Sequence, residues 1–69
     1  MYKIGKIEFY ENKGGGTVEI LQDNKIIKNI EFIIWNSGKI ELDDEFGFVY
    51  GKFYKDVIKR IELKLKSKY

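Results

Sequence analysis

The amino-acid sequence predicts an all-β fold, a single small five-stranded barrel spanning residues 1–69. Three observations predict it. Apolar and polar residues alternate with period two along most of the chain, and β-branched and aromatic residues fill the apolar positions. Gly, Asn and Asp punctuate these runs where tight turns need them. A chain of 69 residues closes only one core, and a small sheet hides its edges by closing on itself.

The first segment, Lys3 to Tyr10, turns Ile7 and Phe9 to one face, and the second, Thr17 to Leu21, does the same with Val18 and Ile20. Gly14-Gly15-Gly16 lies between them. Glycine accepts positive φ without steric cost, so the triplet reads as a hairpin loop with Asn12 and Lys13 at its tip. A phosphate cradle would need the G-x-x-x-x-G-K-[ST] spacing and a helix behind it, whereas "KGGGT" leads into a strand. "QDNK" is the next turn, because Asp23-Asn24 tolerate hairpin dihedrals.

The third segment, Lys25 to Trp35, is the longest. Ile26, Ile30, Phe32 and Ile34 share one face and Ile27, Ile33 and Trp35 the other, which marks a central strand. After "NSGK" comes a short strand, Lys39 to Leu42, and then "FGFVYG", with Phe46, Phe48 and Tyr50 on one side. The chain ends in "RIELKLK", where Ile61, Leu63 and Leu65 face one way and charges the other, as in an edge strand guarded by lysines. Tyr54, Val57, Ile58, Ile61 and Leu65 also fit a helical stripe. The β-branched cluster and the strict alternation from Arg60 favour the strand.

Composition excludes several kinds of chemistry. With no cysteine there is neither a disulfide nor a thiolate metal site. With no histidine, the commonest general base and metal ligand is missing, and Thr17, Ser37 and Ser67 have nothing to activate them. The acidic run Glu41, Asp43, Asp44 and Glu45 lacks the spacing of a calcium loop. The expectation is a protein that is not an enzyme and uses no cofactor. No apolar run approaches the roughly 20 residues a membrane helix needs, and Lys3, Lys6 and Glu8 interrupt any signal-peptide core, so a cytoplasmic protein without a membrane partner is expected.

One stretch resembles a known family. "GKIEFYENKGGGTVEI" is similar to the opening of the cold-shock domain, an OB-fold barrel whose first strand runs G-K-V-K-W-F-N and whose second carries K-G-F-G-F-I. Gly5, Lys6, Ile7, Phe9 and Tyr10 match in kind, as do Lys13, Gly14, Gly16 and Val18 after the turn is shortened by a residue. "NIEFIIWN" is similar to D-V-F-V-H-F-S, placing Phe32 and Trp35 at aromatic positions. Gly15 and Thr17 stand where the family has base-stacking rings, and the likeness ends after residue 36. The resemblance implies an OB-type strand order and a single-stranded nucleic-acid ligand, with Phe9, Tyr10, Phe32 and Trp35 stacking on bases and Lys6 and Lys13 on phosphates.

Charge and aromatics sustain a second reading. Seven basic residues lie between Lys52 and Lys68 against only Asp56 and Glu62, and the acidic run precedes them. Phe46, Phe48, Tyr50, Phe53, Tyr54 and Lys55 would then form a protein interface on an SH3-like barrel, in an adaptor, a virus-encoded inhibitor of a host factor or a subunit of a homo-oligomer. Residues of regular strands alternate in facing, so Phe32 and Trp35 share a site only if a bulge intervenes.

Overall fold

A computed structural model describes residues 2–44, 47 and 49–68. Four strands, β1 (Tyr2–Phe9), β2 (Gly15–Gln22), β3 (Lys25–Ile34) and β4 (Ile40–Asp43), precede one helix, α1 (Gly51–Lys68). The strands form a single antiparallel sheet in the order β1-β2-β3-β4. The protein is mostly β, as its alternation predicts, and β3 is a central strand. The sheet is not closed: among the described residues β1 and β4 do not pair, and helix α1 meets both of these edge strands instead.

The expected fifth strand is therefore a correction, and the stripe explains it. Val57 and Ile61 are fully buried, Phe53, Tyr54 and Ile58 pack against the same core, and Leu65 is half-buried. Leu63, which strict alternation would have hidden beside Ile61, is 57% exposed. Three β-branched residues cost a helix at most about 0.7 kcal/mol each. Burying one such side chain returns roughly 1.5–3 kcal/mol. Burial outweighs propensity, and the helical stripe wins.

Each tight connection follows from its residues. Asp23 and Asn24 take φ of 53° and 64°, the left-handed pair that joins β2 to β3 in a two-residue hairpin. Gly38 (φ 91°) ends a turn in which its N–H donates to Trp35 O at 2.8 Å, while Trp35 N–H donates to Lys39 O. Asp44 organises the approach to α1, its Oδ2 accepting the Val49 N–H at 2.6 Å.

The triple glycine is not all loop. Gly14 is, its N–H donating to Asn12 Oδ1 at 2.9 Å, but Gly15 and Gly16 are strand residues of β2. A Cβ on Gly16 would overlap the Glu8 carbonyl oxygen, and one on Gly15 the Phe32 carbonyl oxygen. The glycines let the backbones of β1 and β3 close on β2 from both sides.

Two irregularities set the register. Gly5 and Lys6 bulge between the pairs Ile4–Ile20 and Ile7–Val18, and the Lys6 N–H is taken by Glu19 Oε1 at 3.0 Å. A second bulge leaves Ile27 between the pairs Ile20–Lys28 and Leu21–Ile26. It turns Ile26 away from the face of Ile30 and Phe32, so Ile26 is exposed rather than a member of that face as the alternation predicts. The core comprises Ile7, Val18, Ile20, Ile30, Phe32, Ile40, Leu42, Val49, Val57 and Ile61, all between the sheet and α1.

Candidate functional site

The one-sided core divides the residues that the cold-shock resemblance groups together. Phe32 is 1% exposed, and Phe9 meets it edge to face at 5.7 Å. Lys68, in the last turn of α1, sets its Nζ over Phe9, 5.3 Å from the ring centroid. Phe32 is withdrawn from solvent, whereas Phe9 is half-buried. Tyr10 and Trp35 are exposed on the opposite face of the sheet, away from the helix. No bulge brings Trp35 round to Phe32. Lys6 lies exposed on that open face beside Glu8, at 3.6 Å, and Lys13 is exposed at the tip of the β1–β2 loop.

Antiparallel register makes the open face acidic. Glu8, Thr17, Glu31 and Asp43 lie in one row across the four strands, with Glu41 opposite Ile33 and Glu19 opposite Asn29 in the neighbouring rows. The exposed rings serve these carboxylates. Tyr10 O–H donates to Glu31 Oε2 at 2.8 Å, crossing β2 where Gly15 has no side chain, and Trp35 Nε1–H donates to Glu41 Oε2 at 3.0 Å. The bond to Glu31 raises the Tyr10 phenol above its ordinary value, assisted by desolvation and by the carboxylate's charge. A polyanion would meet repulsion on this face.

The expected protein interface is divided too. Phe46 and Phe48 lie outside the described residues. Tyr50 is 77% exposed just before α1 and Lys55 is exposed on it, but Phe53 and Tyr54 are half-buried against the core. Of the acidic run, Glu45 lies outside the described residues, Glu41 and Asp43 point to the open face, and Asp44 holds the Val49 N–H. Among the described residues no group of acidic side chains is placed to hold a metal ion.

Helix formation creates a site that sequence alternation hid. A groove of about 750 Å³ runs between the first edge strand and α1. Lys3 comes from β1, and Lys52, Lys59 and Arg60 from the helix; Asp56 is the groove's carboxylate. None of the three helix cations makes an ion pair among the described residues, and Lys3 only borders the groove, because its register opposite Leu21 sets it on the open face. Tyr2 and Phe53 line the groove with their rings 6.0 Å apart and tilted by 44°, flanked by Ile4 and Leu63. Lys52 also sits in the first turn of a helix that has no acidic residue there, so its charge adds to the positive end of the helix dipole.

No family model matches this chain, and no curated protein or solved structure matches it. The arrangement must be read from its own chemistry. The signal in the sequence was the basic run from Lys52, but its partner residues Tyr2 and Lys3 come from the opposite end of the chain and join it only through the fold. Among the described residues no helix is long and apolar enough to cross a membrane.

Proposed function

We propose that the protein is a non-enzymatic binding module for single-stranded nucleic acid, the ligand class implied by the cold-shock resemblance, with the strand lying in the β1–α1 groove. The carrying observation is the gathering of three helix cations, Lys52, Lys59 and Arg60, without ion pairs beside two rings. Gathering like charges costs free energy that an anion would offset, about 1 kcal/mol per pair at 4 Å in bulk water and more near a protein surface. Phosphates supply that charge at regular spacing. The Tyr2–Phe53 ring pair offers an apolar floor on which a base can rest, an interaction of about 1–3 kcal/mol for an exposed ring. The acidic sign of the open sheet face speaks against the strand lying there.

The test is a fluorescence-anisotropy titration with a labelled oligothymidylate at several salt concentrations. Three phosphate contacts on a single strand predict a slope of log K against log salt of about −2.1, or roughly 20-fold weaker binding between about 50 and 200 mM. Changing Lys59→Gln and Arg60→Gln together should bring the slope to about −0.7. Trp35 fluorescence should not respond, because this residue lies on the other face. Absence of binding at about 50 mM salt would overturn the reading. An unchanged slope in the double variant, or strong Trp35 quenching, would overturn the groove as the site.

A further inference from the structure

The two exposed sides of the molecule carry opposite charge. On the open sheet face Glu8, Glu19, Glu31, Glu41 and Asp43 outnumber Lys3 and Lys6, and Ile33 and Trp35 are exposed at the C-terminal end of β3. On the solvent side of α1, Lys52, Lys55, Lys59, Arg60 and Lys66 outnumber Asp56 and Glu62, and Leu63 projects between them. We infer that a second copy of this chain docks its α1 across the open sheet face, so that each sheet lies between its own helix and a neighbour's.

Charge complementarity selects this pairing over its rivals. Two sheets meeting face to face would oppose carboxylate rows, and two helices meeting would oppose lysines; either costs free energy. Sheet against helix joins unlike signs and brings Leu63 to the exposed Ile33 and Trp35. An α1 of 18 residues is about 27 Å long, enough to cross four strands spaced about 4.8 Å apart. The contact joins different surfaces, so it builds rings or open chains and not twofold dimers. One exposed leucine contributes little apolar burial, so the association is weak and sensitive to salt.

The docked helix face includes Lys52, Lys59 and Leu63, which also line the groove. A ligand in the groove and a neighbouring sheet therefore compete. This competition rests on the proposed nucleic-acid reading, whereas the docking itself rests only on the two charged faces.

Sedimentation velocity of the whole chain tests the docking without any nucleic acid. At an ionic strength of about 0.01 M the mean mass should rise with protein concentration, and at about 1 M it should return to that of the monomer. The variants Glu31→Gln with Asp43→Asn, and Lys55→Gln with Lys59→Gln, change only exposed residues, and circular dichroism checks that they fold. Each alone should remain monomeric. Mixed, they should form a dimer and stop there, because one keeps the acidic sheet and the other the basic helix. A monomer at every concentration in low salt overturns the inference, as does a mixture that stays monomeric. Self-association that survives in either variant, or that resists high salt, also overturns it. Loss of assembly on adding oligothymidylate supports the shared helix face; bound oligothymidylate with intact assembly would refute the competition alone.

Discussion

Replacing the three consecutive glycines one at a time separates a flexible loop from a close approach of strands. In Gly14→Ala the new methyl meets Asn12 Oδ1 at 3.3 Å, the end of a side chain that can move. The cost should stay within the roughly 0.5 kcal/mol usual for surface changes. In Gly16→Ala the methyl overlaps the Glu8 carbonyl oxygen and lies 2.8 Å from Phe32 Cζ. The oxygen belongs to the backbone of β1, so relief means parting β1 from β2 beside a buried ring. Overpacking of this kind costs about 1–3 kcal/mol, and each ladder hydrogen bond weakened adds about 1 kcal/mol. A domain of this size has only about 3–5 kcal/mol of net stability, so Gly16→Ala should consume most of it. Gly15→Ala, blocked by the Phe32 carbonyl, should behave similarly. Urea denaturation followed by far-ultraviolet circular dichroism gives the midpoints. Equal tolerance of alanine at all three positions would refute the close-approach account and return the triplet to the loop.

Three further outcomes follow from the described contacts. Ile61→Ala should cost about 2–5 kcal/mol, whereas Leu63→Ala should change stability by no more than about 0.5 kcal/mol. Comparable losses at both, by the same denaturation assay, would favour the strand over the helix. Glu31→Gln should lower the Tyr10 phenol toward its ordinary value of 10.0, seen as an earlier phenolate transition in ultraviolet difference titration and assigned with Tyr10→Phe. Because the folded-state value is raised, this bond contributes stability that is fully present below the unfolded pKa and is lost as pH climbs through the folded one. Stability in Tyr10→Phe should accordingly depend less on pH in that alkaline window; an unchanged dependence would discard the Glu31 bond as its source.

The sheet was legible because its determinants are local. Alternation located β1 to β4 within about two residues. Asp23-Asn24 and "NSGK" carried the geometry of their turns in their own side chains. What escaped was non-local. Gly15 and Gly16 are strand residues because the neighbouring backbones crowd them, and a one-dimensional sequence does not display crowding. The bulge at Ile27 reversed the facing of Ile26 by one residue. In the last segment two periodicities coexisted, and Ile61 and Leu65 belong to both. Only Leu63 distinguishes them, since the strand must bury it and the helix exposes it.

The candidate site was less legible than the fold, for an electrostatic reason. Eleven aromatic residues in so short a chain suggest that some reach the surface, but a ring's neighbours decide what it can bind. Tyr10 and Trp35 are exposed, and each donates its polar hydrogen to a carboxylate. Tyr2 and Phe53 are less exposed, yet Lys52, Lys59 and Arg60 stand around them. Rings alike in composition therefore stand in fields of opposite sign. The sign is set by register: Glu8, Glu31 and Asp43 come from three separate strands and align only when the sheet forms. Helix formation then disperses the C-terminal lysines over a surface on the far side of the core. Had the segment remained an edge strand, those cations would have bordered the carboxylate rows and been neutralised by them. That the last segment is a helix and not a strand is thus what separates the charges, and the proposed anionic ligand and the proposed self-docking both depend on that separation.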